Sequence, residues 1–191
     1  STFYFQDFKE QICKELTPKK EYMDYATKYL ESLKTDDSEI VSIHLRRGDN
    51  SDGTNKGYLT FYGEDNIYDE NSVYGKYITE ALTHFENKKV KFLVFTGGSR
   101  TGDDKDDILW AKNTFKKDNF LVSESNDPMK DFALMMSCDH NITCHLTTFG
   151  WWAAYLNKNP SKTVIAPKRY FYDKPANYTR QGFLPTDWTL L

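Results

Sequence analysis

Residues 39–49, "EIVSIHLRRGD", contain the stretch that decides the fold class. The apolar positions of this stretch are Ile40, Val41, Ile43 and Leu45. A short, β-branched apolar run of this kind predicts a buried strand. Two permanently charged side chains, Arg46 and Arg47, follow the run directly, with a glycine after them. The sequence therefore predicts a strand that ends in concentrated positive charge, and this arrangement suggests a functional site.

On both sides of this strand the chain alternates between helical and strand-like patterns. Residues 6–34 predict two helices separated by Pro18, since apolar residues recur there at three- and four-residue spacing. Further strands are predicted at 90–96, 120–125, 141–146 and 163–171, and helices at 73–87, 105–117, 129–139 and 147–158. This order predicts an α/β fold, a Rossmann-like parallel sheet with helices on both faces. Residues 1–38 form a helical N-terminal segment in this interpretation, and residues 39–191 form the sheet domain.

Composition excludes several classes of protein. The 191 residues carry 25 Lys and Arg against 28 Asp and Glu, so broad nucleic-acid binding through a basic surface is not expected. The three cysteines lack metal-ligand spacing and are predicted to be buried small side chains rather than zinc ligands or a disulfide framework. No apolar run is long enough for a membrane span, so no membrane contact by this chain is expected. The abrupt start without Met suggests a fragment or a processed chain.

Three predicted strands are followed by unusual residues. The first strand runs into "HLRRGD" (44–49), the second into "TGGSR" (96–100) and the fourth into "HLTTFG" (145–150), directly before a helix. In open α/β sheets, ligands bind at the carboxyl ends of the strands. We therefore expect these three segments to form one ligand site.

The two arginines are the first candidates for that site. Guanidinium groups match phosphate oxygens in paired hydrogen bonds, so Arg46 and Arg47 are suited to a diphosphate. The alternative is that they pair with Asp49 or Asp52 in the following loop. His44 shares a strand face with Arg46, and it either contacts the ligand or holds the loop in place.

The helix that begins near residue 147 is the second candidate. Its free N–H groups, capped by Thr147 or Thr148, predict an anion site, and ordinary capping is the alternative. Gly150 would allow close approach of a ligand or backbone. Asp131 follows Asp127 and Pro128, which predict the start of another helix. Its carboxylate either accepts hydrogen bonds from a guanine edge or compensates the helix dipole.

Taken together, "HLRRGD", "FTGGS", "DFALMMSCDHNITCHLTTFGWWAAYLNK" and "TVIAPKRYF" resemble the family 11 glycosyltransferases, the α-1,2-fucosyltransferases, from about Phe3 to Leu184. The resemblance implies the donor-binding half of a GT-B fold. It also implies transfer of L-fucose from GDP-β-L-fucose to a galactose-containing glycan, with inversion and without a metal or other cofactor. The family's glycine-rich N-terminal region, which belongs to the acceptor side, is missing from these residues.

The resemblance also implies roles for individual residues. It assigns the donor site to His44, Arg46, Arg47, Asp131, Thr147, Thr148 and Phe149, with the paired arginines at the GDP diphosphate. "FTGGS" replaces the family's commoner FSDD, and Gly150 stands where serine is usual. We expect Arg46 or Arg47 to stabilise the departing GDP. The general base is not named by the sequence; Asp49 and Asp52 are candidates that are equally suited to orienting an arginine.

Two other functions fit the same residues. One is a nucleotide-sugar or glycan-binding module without catalysis, and the other is a transferase that uses another sugar nucleotide. The compartment also stays open, because eukaryotic family members are Golgi membrane proteins whereas microbial ones need not be. The sequon at Asn141 lies on a predicted buried strand and should not be glycosylated, while the sequon at Asn177 lies in the tail.

Overall fold

The computed structural model of the chain describes residues 5–34, 36–48, 73–98, 104–145, 147–168 and 182–191. A short 3-10 helix, Gln6–Phe8, opens the described part. The helices are α1 Lys9–Glu15, α2 Lys20–Leu33, α3 Val73–Thr83, α4 Lys105–Thr114, α5 Pro128–Ser137 and α6 Thr148–Leu156. The strands are β1 Glu39–Arg46, β2 Val90–Gly97, β3 Phe120–Val122, β4 His140–Ile142, β5 Val164–Ala166 and β6 Thr189–Leu190.

The six strands form one parallel sheet in the order β3-β2-β1-β4-β5-β6. The predicted α/β class and the parallel sheet are confirmed. On one side of β1 lie β2 and then β3, and on its other side lie β4, β5 and β6. The direction in which the chain adds strands to the sheet therefore reverses between β1 and β4. A ligand crevice is expected at such a reversal point, outside the carboxyl ends of the strands. The carboxyl ends of β2, β1 and β4 therefore lie side by side at one edge of the sheet.

Alternation along β1 divides the core between the two faces of the sheet. Val41, Ile43 and Leu45 are buried against α3 and α4. Ile40 belongs instead to a second buried cluster, with residues of α2, α5 and α6. His44 and Arg46 follow the even-numbered positions onto the second face, because successive side chains of a strand point to opposite sides. Helices thus cover both faces, as expected for a parallel sheet.

Helix α2 is anchored to the sheet domain by Ala26 and Leu30, which lie in the second cluster. The domain boundary at residue 38 stays a prediction. Helix α5 begins as predicted, since the Asp127 side chain accepts a hydrogen bond from Met129 N at 2.9 Å and Pro128 occupies the first turn. In the part of the chain that the structure describes, no helix combines the length and apolar character needed to cross a membrane.

Strand β4 is shorter than predicted, ending at Ile142 rather than at residue 146. Its ladder pairing with β1 and β5 extends only to Ile142, and side-chain hydrogen bonds of Asn141 hold the strand as well. The Asn141 amide donates to Ser42 Oγ and to Met135 O, at 2.7 Å each, and its carbonyl accepts from Asn157 Nδ2 at 2.8 Å. Asn141 is buried, as predicted for the first sequon. The two-residue strand β6 is not apparent from the sequence, since it lies in the Tyr- and Pro-containing tail.

Candidate functional site

A cavity of about 450 Å³ lies at the carboxyl ends of β1 and β2, bordered by the turn before α5 and the start of α6. The described residues that give it its chemistry are His44, Arg46, Gly98, Asp104, Asp131 and Phe149. Four of these residues, His44, Arg46, Asp131 and Phe149, are site candidates from the sequence. The structure therefore brings three separate candidate segments to one cavity.

Arg46 reaches the cavity over the glycines that end β2. It pairs in register with Gly97, and a Cβ atom built on Gly98 would lie 2.5 Å from its Cζ atom. Both glycines have positive φ values, +125° and +97°, which side-chain-bearing residues rarely adopt. The Gly98 N–H donates to Asp104 Oδ1 at 3.0 Å, which joins the end of β2 to the residue before α4. The glycines of "FTGG" therefore leave room for the Arg46 guanidinium, because they have no side chain.

His44 packs tightly against the first turn of α6. A Cβ atom on Gly150 would lie 2.5 Å from His44 Nδ1, so the glycine allows the ring to touch the helix backbone. The ring also lies 5.7 Å from that of Phe149, and Nδ1 is 3.5 Å from Cys144 Sγ. Burial, together with the charge of Arg46, lowers the pKa of His44 to about 3. The imidazole is therefore neutral at physiological pH.

Asp131, in the first turn of α5, is an acidic residue that also lines the cavity. Burial raises the pKa of its carboxyl to about 7, and the nearby charges of Asp127 and Asp104 act in the same direction. Ser123 Oγ donates to Asp131 Oδ1 at 2.7 Å and partly offsets this rise. The carboxylate is thus an acceptor whose charge changes close to neutral pH.

Arg47 lies on the other face of the sheet from His44. Its Nε donates to Asp107 Oδ1 at 3.0 Å, and its Cζ lies 3.8 Å from the centre of the Trp110 ring. Asp107 Oδ2 also accepts from Gly48 N at 2.8 Å. The described partner of Arg47 is therefore a buried aspartate of α4, and the two arginines have different surroundings. Their predicted pairing with Asp49 or Asp52 lies outside the described residues, as does the candidate base Asp49.

The start of α6 confirms the predicted cap. Thr147 Oγ1 accepts a hydrogen bond from Phe149 N at 3.3 Å, while Thr148 is the first helical residue and is exposed. Phe149 faces the cavity. The site combines a guanidinium, a neutral imidazole, a carboxylate and an aromatic ring. Such a set suits a ligand with an anionic group at one end and hydrogen-bond donors at the other. The described residues include no group of three or more His, Cys, Asp or Glu side chains arranged to hold a metal ion.

Comparison with known proteins identifies the family. The model of "Glycosyl transferase family 11" matches residues 1–190. The chain belongs to glycosyl transferase family 11. The resemblance inferred from the motifs is thereby confirmed, and the Rossmann-like sheet is consistent with a domain of a family 11 glycosyltransferase.

Three relatives illustrate the similarity. The O-antigen biosynthesis glycosyltransferase WbnK of Escherichia coli is 29% identical over 140 residues, covering 71% of this chain and 40% of the relative. Galactoside alpha-(1,2)-fucosyltransferase 2 of Pongo pygmaeus is 29% identical over 160 residues, covering 81% and 42%. Galactoside alpha-(1,2)-fucosyltransferase 1 of Homo sapiens is 28% identical over 160 residues, covering 80% and 40%. The chain spans about two fifths of the length of these family 11 relatives.

The contacts of three residues in or next to the site, Asp104, Asp107 and Cys144, are not predicted from the sequence. Asp107 and Asp104 lie in an acidic stretch that reads as a solvated helix start, and only the fold brings Asp107 to an arginine 60 positions earlier. Cys144 was predicted to be a buried small side chain, which it is, but its contact with His44 requires β1 and the segment after β4 to be adjacent. No local sequence pattern indicates either contact.

Proposed function

We propose that this chain binds GDP-β-L-fucose in the cavity and takes part in transferring L-fucose to a galactose hydroxyl, forming an α-1,2 linkage with inversion. The observation that carries the proposal is that Arg46 and Asp131 line one cavity. A GDP group is negative at its diphosphate and presents N–H donors on its guanine edge. A cation and a carboxylate in one cavity complement those two ends.

The position of the cavity supports a nucleotide ligand. It lies outside the carboxyl end of β1, beside the reversal of strand order, where nucleotides bind in open α/β sheets. The first turn of α6 borders the same space, and N–H groups at a helix start favour anions. His44 is neutral, so it offers a hydrogen bond without a second positive charge. The names of the relatives support a sugar donor and a galactoside acceptor.

The proposed chemistry is a direct displacement. The acceptor oxygen forms a bond to the anomeric carbon of fucose while the bond from that carbon to the GDP oxygen breaks. The bonding electrons leave with GDP, and Arg46 stabilises the charge that develops there. The acceptor proton passes to a base, for which Asp49 and Asp52 stay predictions. Inversion follows from a single displacement with no covalent enzyme intermediate.

Arg46 and Arg47 have separate roles in this proposal. Arg46 contacts the diphosphate, because its guanidinium lines the cavity. Arg47, held by Asp107 and stacked on Trp110, has a structural role on the other face, where it joins the end of β1 to α4. Thr147 and Thr148 serve the ligand through the helix start that they begin, and Phe149 forms the cavity wall.

A second candidate function is binding of a nucleotide sugar without catalysis. The cavity lined by Arg46 and Asp131 would bind the nucleotide of such a sugar whether or not transfer follows. A third possibility is a transferase that uses another sugar nucleotide. It differs only in the nucleobase that would donate hydrogen bonds to Asp131.

A single assay distinguishes these functions. The chain is incubated with labelled GDP-fucose and a β-galactoside, with and without EDTA, and the linkage and anomeric configuration of the product are determined by NMR. An α-1,2-fucosylated product in both arms supports the proposal. A parallel thermal-shift series with GDP, UDP and ADP should show the largest stabilisation with GDP. Stabilisation by GDP without product indicates a binding module, and stronger stabilisation by UDP or ADP contradicts the assignment of the donor.

A further inference from the structure

The contact between Cys144 and His44 has a consequence for the chemistry of the cavity. Cys144 is fully buried, and its Sγ lies 3.5 Å from Nδ1 of His44. The same nitrogen faces the backbone of Gly150, where a Cβ atom would be only 2.5 Å away. Nδ1 is therefore enclosed by the protein on both sides. Nε2 is the ring nitrogen that remains for the cavity that His44 lines.

The direction of the hydrogen bond follows from the states of the two groups. Burial raises the pKa of the Cys144 thiol to about 12, so it keeps its proton, while the His44 ring is neutral. The backbone of Arg46 hydrogen-bonds to the Cys144 sulfur, which occupies its acceptor side. An imidazole nitrogen with a lone pair is a much better acceptor than a thiol sulfur. The thiol should therefore donate to Nδ1.

We propose that Cys144 is a positioning residue whose thiol holds His44 in the tautomer with its proton on Nε2. In this tautomer the histidine presents an N–H donor to the cavity. In the other tautomer Nε2 would present a lone pair, which repels the oxygens of an anionic ligand. The contact with Gly150 contributes by fixing the ring position, so that only the tautomer is left for Cys144 to set.

The step from tautomer to ligand rests on the proposed function, whereas the tautomer itself does not. A donor at Nε2 suits a phosphate oxygen next to Arg46, since the two residues project from the same strand face. The Nε2–H group of His44 would contribute one neutral hydrogen bond to ligand binding in an enclosed site. Its loss should weaken GDP binding by about fivefold, the usual range for such a bond.

Nitrogen-15 NMR of the histidine-labelled chain tests the tautomer directly. Long-range proton–nitrogen correlations distinguish a protonated Nε2 from a protonated Nδ1, and His44→Gln identifies the His44 signals among the four histidines. We expect His44 in the unmodified chain to carry its proton on Nε2 and to keep this pattern from pH 6 to 8. A proton on Nδ1 of His44 overturns the proposal, whatever the variants do.

Two substitutions separate positioning from packing. Cys144→Ala removes the donor, and we expect mixed tautomer signals for His44 and about fivefold weaker GDP binding. Cys144→Ser keeps an O–H donor, so it should restore the Nε2–H pattern and most of the affinity. Cys138→Ala is the matched control, because Cys138 is also buried but packs in the second buried cluster. It should change neither the His44 tautomer nor the GDP affinity.

The outcomes distinguish this inference from the proposed function. If His44 keeps the Nε2–H tautomer in Cys144→Ala, another group sets it and the inference fails. If the tautomer responds as expected but GDP binds neither the unmodified chain nor the variants, the proposed function fails while the positioning role of Cys144 stands. If Cys144→Ala and Cys138→Ala weaken GDP binding equally, the thiol acts only through packing and the inference is overturned.

Discussion

Arg47 and Asp107 form an ion pair that joins the end of β1 to α4. Arg47 Nε lies 3.0 Å from Asp107 Oδ1, and the other carboxylate oxygen accepts from Gly48 N at 2.8 Å. Asp107 is buried, so its charge is balanced inside the protein rather than by water. The pair fixes the direction in which the chain leaves the first strand. Arg46, one residue earlier, is thereby held toward the cavity on the other face.

The first prediction concerns this ion pair. Asp107→Ala should lower the free energy of unfolding by about 1–3 kcal/mol, because the substitution removes a carboxylate that accepts from a half-buried guanidinium and from a backbone N–H. Chemical denaturation measures the change. Asp106→Ala is the matched control, since Asp106 is the exposed neighbour on the same helix and should cost less than about 0.5 kcal/mol. Equal effects of the two substitutions would contradict a structural role for the pair.

The second prediction is a pH dependence of ligand binding. The Asp131 carboxyl is a much stronger acceptor for the guanine N–H groups when it is ionised, and its pKa of about 7 lies above the ordinary value for aspartate. Raising the pH from 6 to 8 therefore increases the ionised fraction, and GDP affinity should rise by up to about tenfold. Calorimetric titrations at the two pH values measure this.

The GDP phosphates also titrate in this range, so the contribution of Asp131 is read from a difference. Asp131→Asn should bind GDP with a much smaller change between pH 6 and 8, and Asp127→Asn is the control for the neighbouring charge. If Asp131→Asn keeps the full pH dependence, the assignment of Asp131 as the residue that binds guanine is wrong.

The third prediction concerns Gly150. A serine at this position introduces a Cβ atom 2.5 Å from His44 Nδ1, so the ring or the helix must shift. Gly150→Ser should lower the free energy of unfolding by about 1–3 kcal/mol, the range for overpacking in a filled core. Denaturation of this variant is compared with Thr148→Ser, an exposed substitution in the same turn. A Gly150→Ser variant as stable as the original chain would show that His44 does not pack where the structure places it.

Much of the fold is predictable from the sequence because its signals are local. The apolar run of β1 and the Asp127–Pro128 helix start need only neighbouring residues, and both are confirmed. The length of β4 depends instead on its pairing with β1 and β5, which ends at Ile142, so its predicted end at residue 146 is wrong. Strand β6 forms by pairing with β5, and its two residues are too few to show the alternating apolar pattern of a strand.

In the candidate site, too, the features that depend on local patterns are predictable and those that depend on distant residues are not. Strand alternation predicts that His44 and Arg46 share a face, and the helix cap predicts the position of Thr147. The different surroundings of Arg46 and Arg47 are not predictable, because they depend on an aspartate from α4 and on two glycines after β2. Strand alternation places the two arginines on opposite faces, and the neighbouring elements determine which face carries the cavity.

The central claim is that Arg46 supplies the cation for a diphosphate, and calorimetric titration of GDP into Arg46→Ala tests it most directly. We predict a loss of affinity of about 10- to 100-fold, the range for a charge-assisted hydrogen bond, with thermal stability close to that of the original chain. Arg47→Ala, measured beside it, should lose more stability and less affinity. Unchanged GDP affinity in Arg46→Ala would contradict the account.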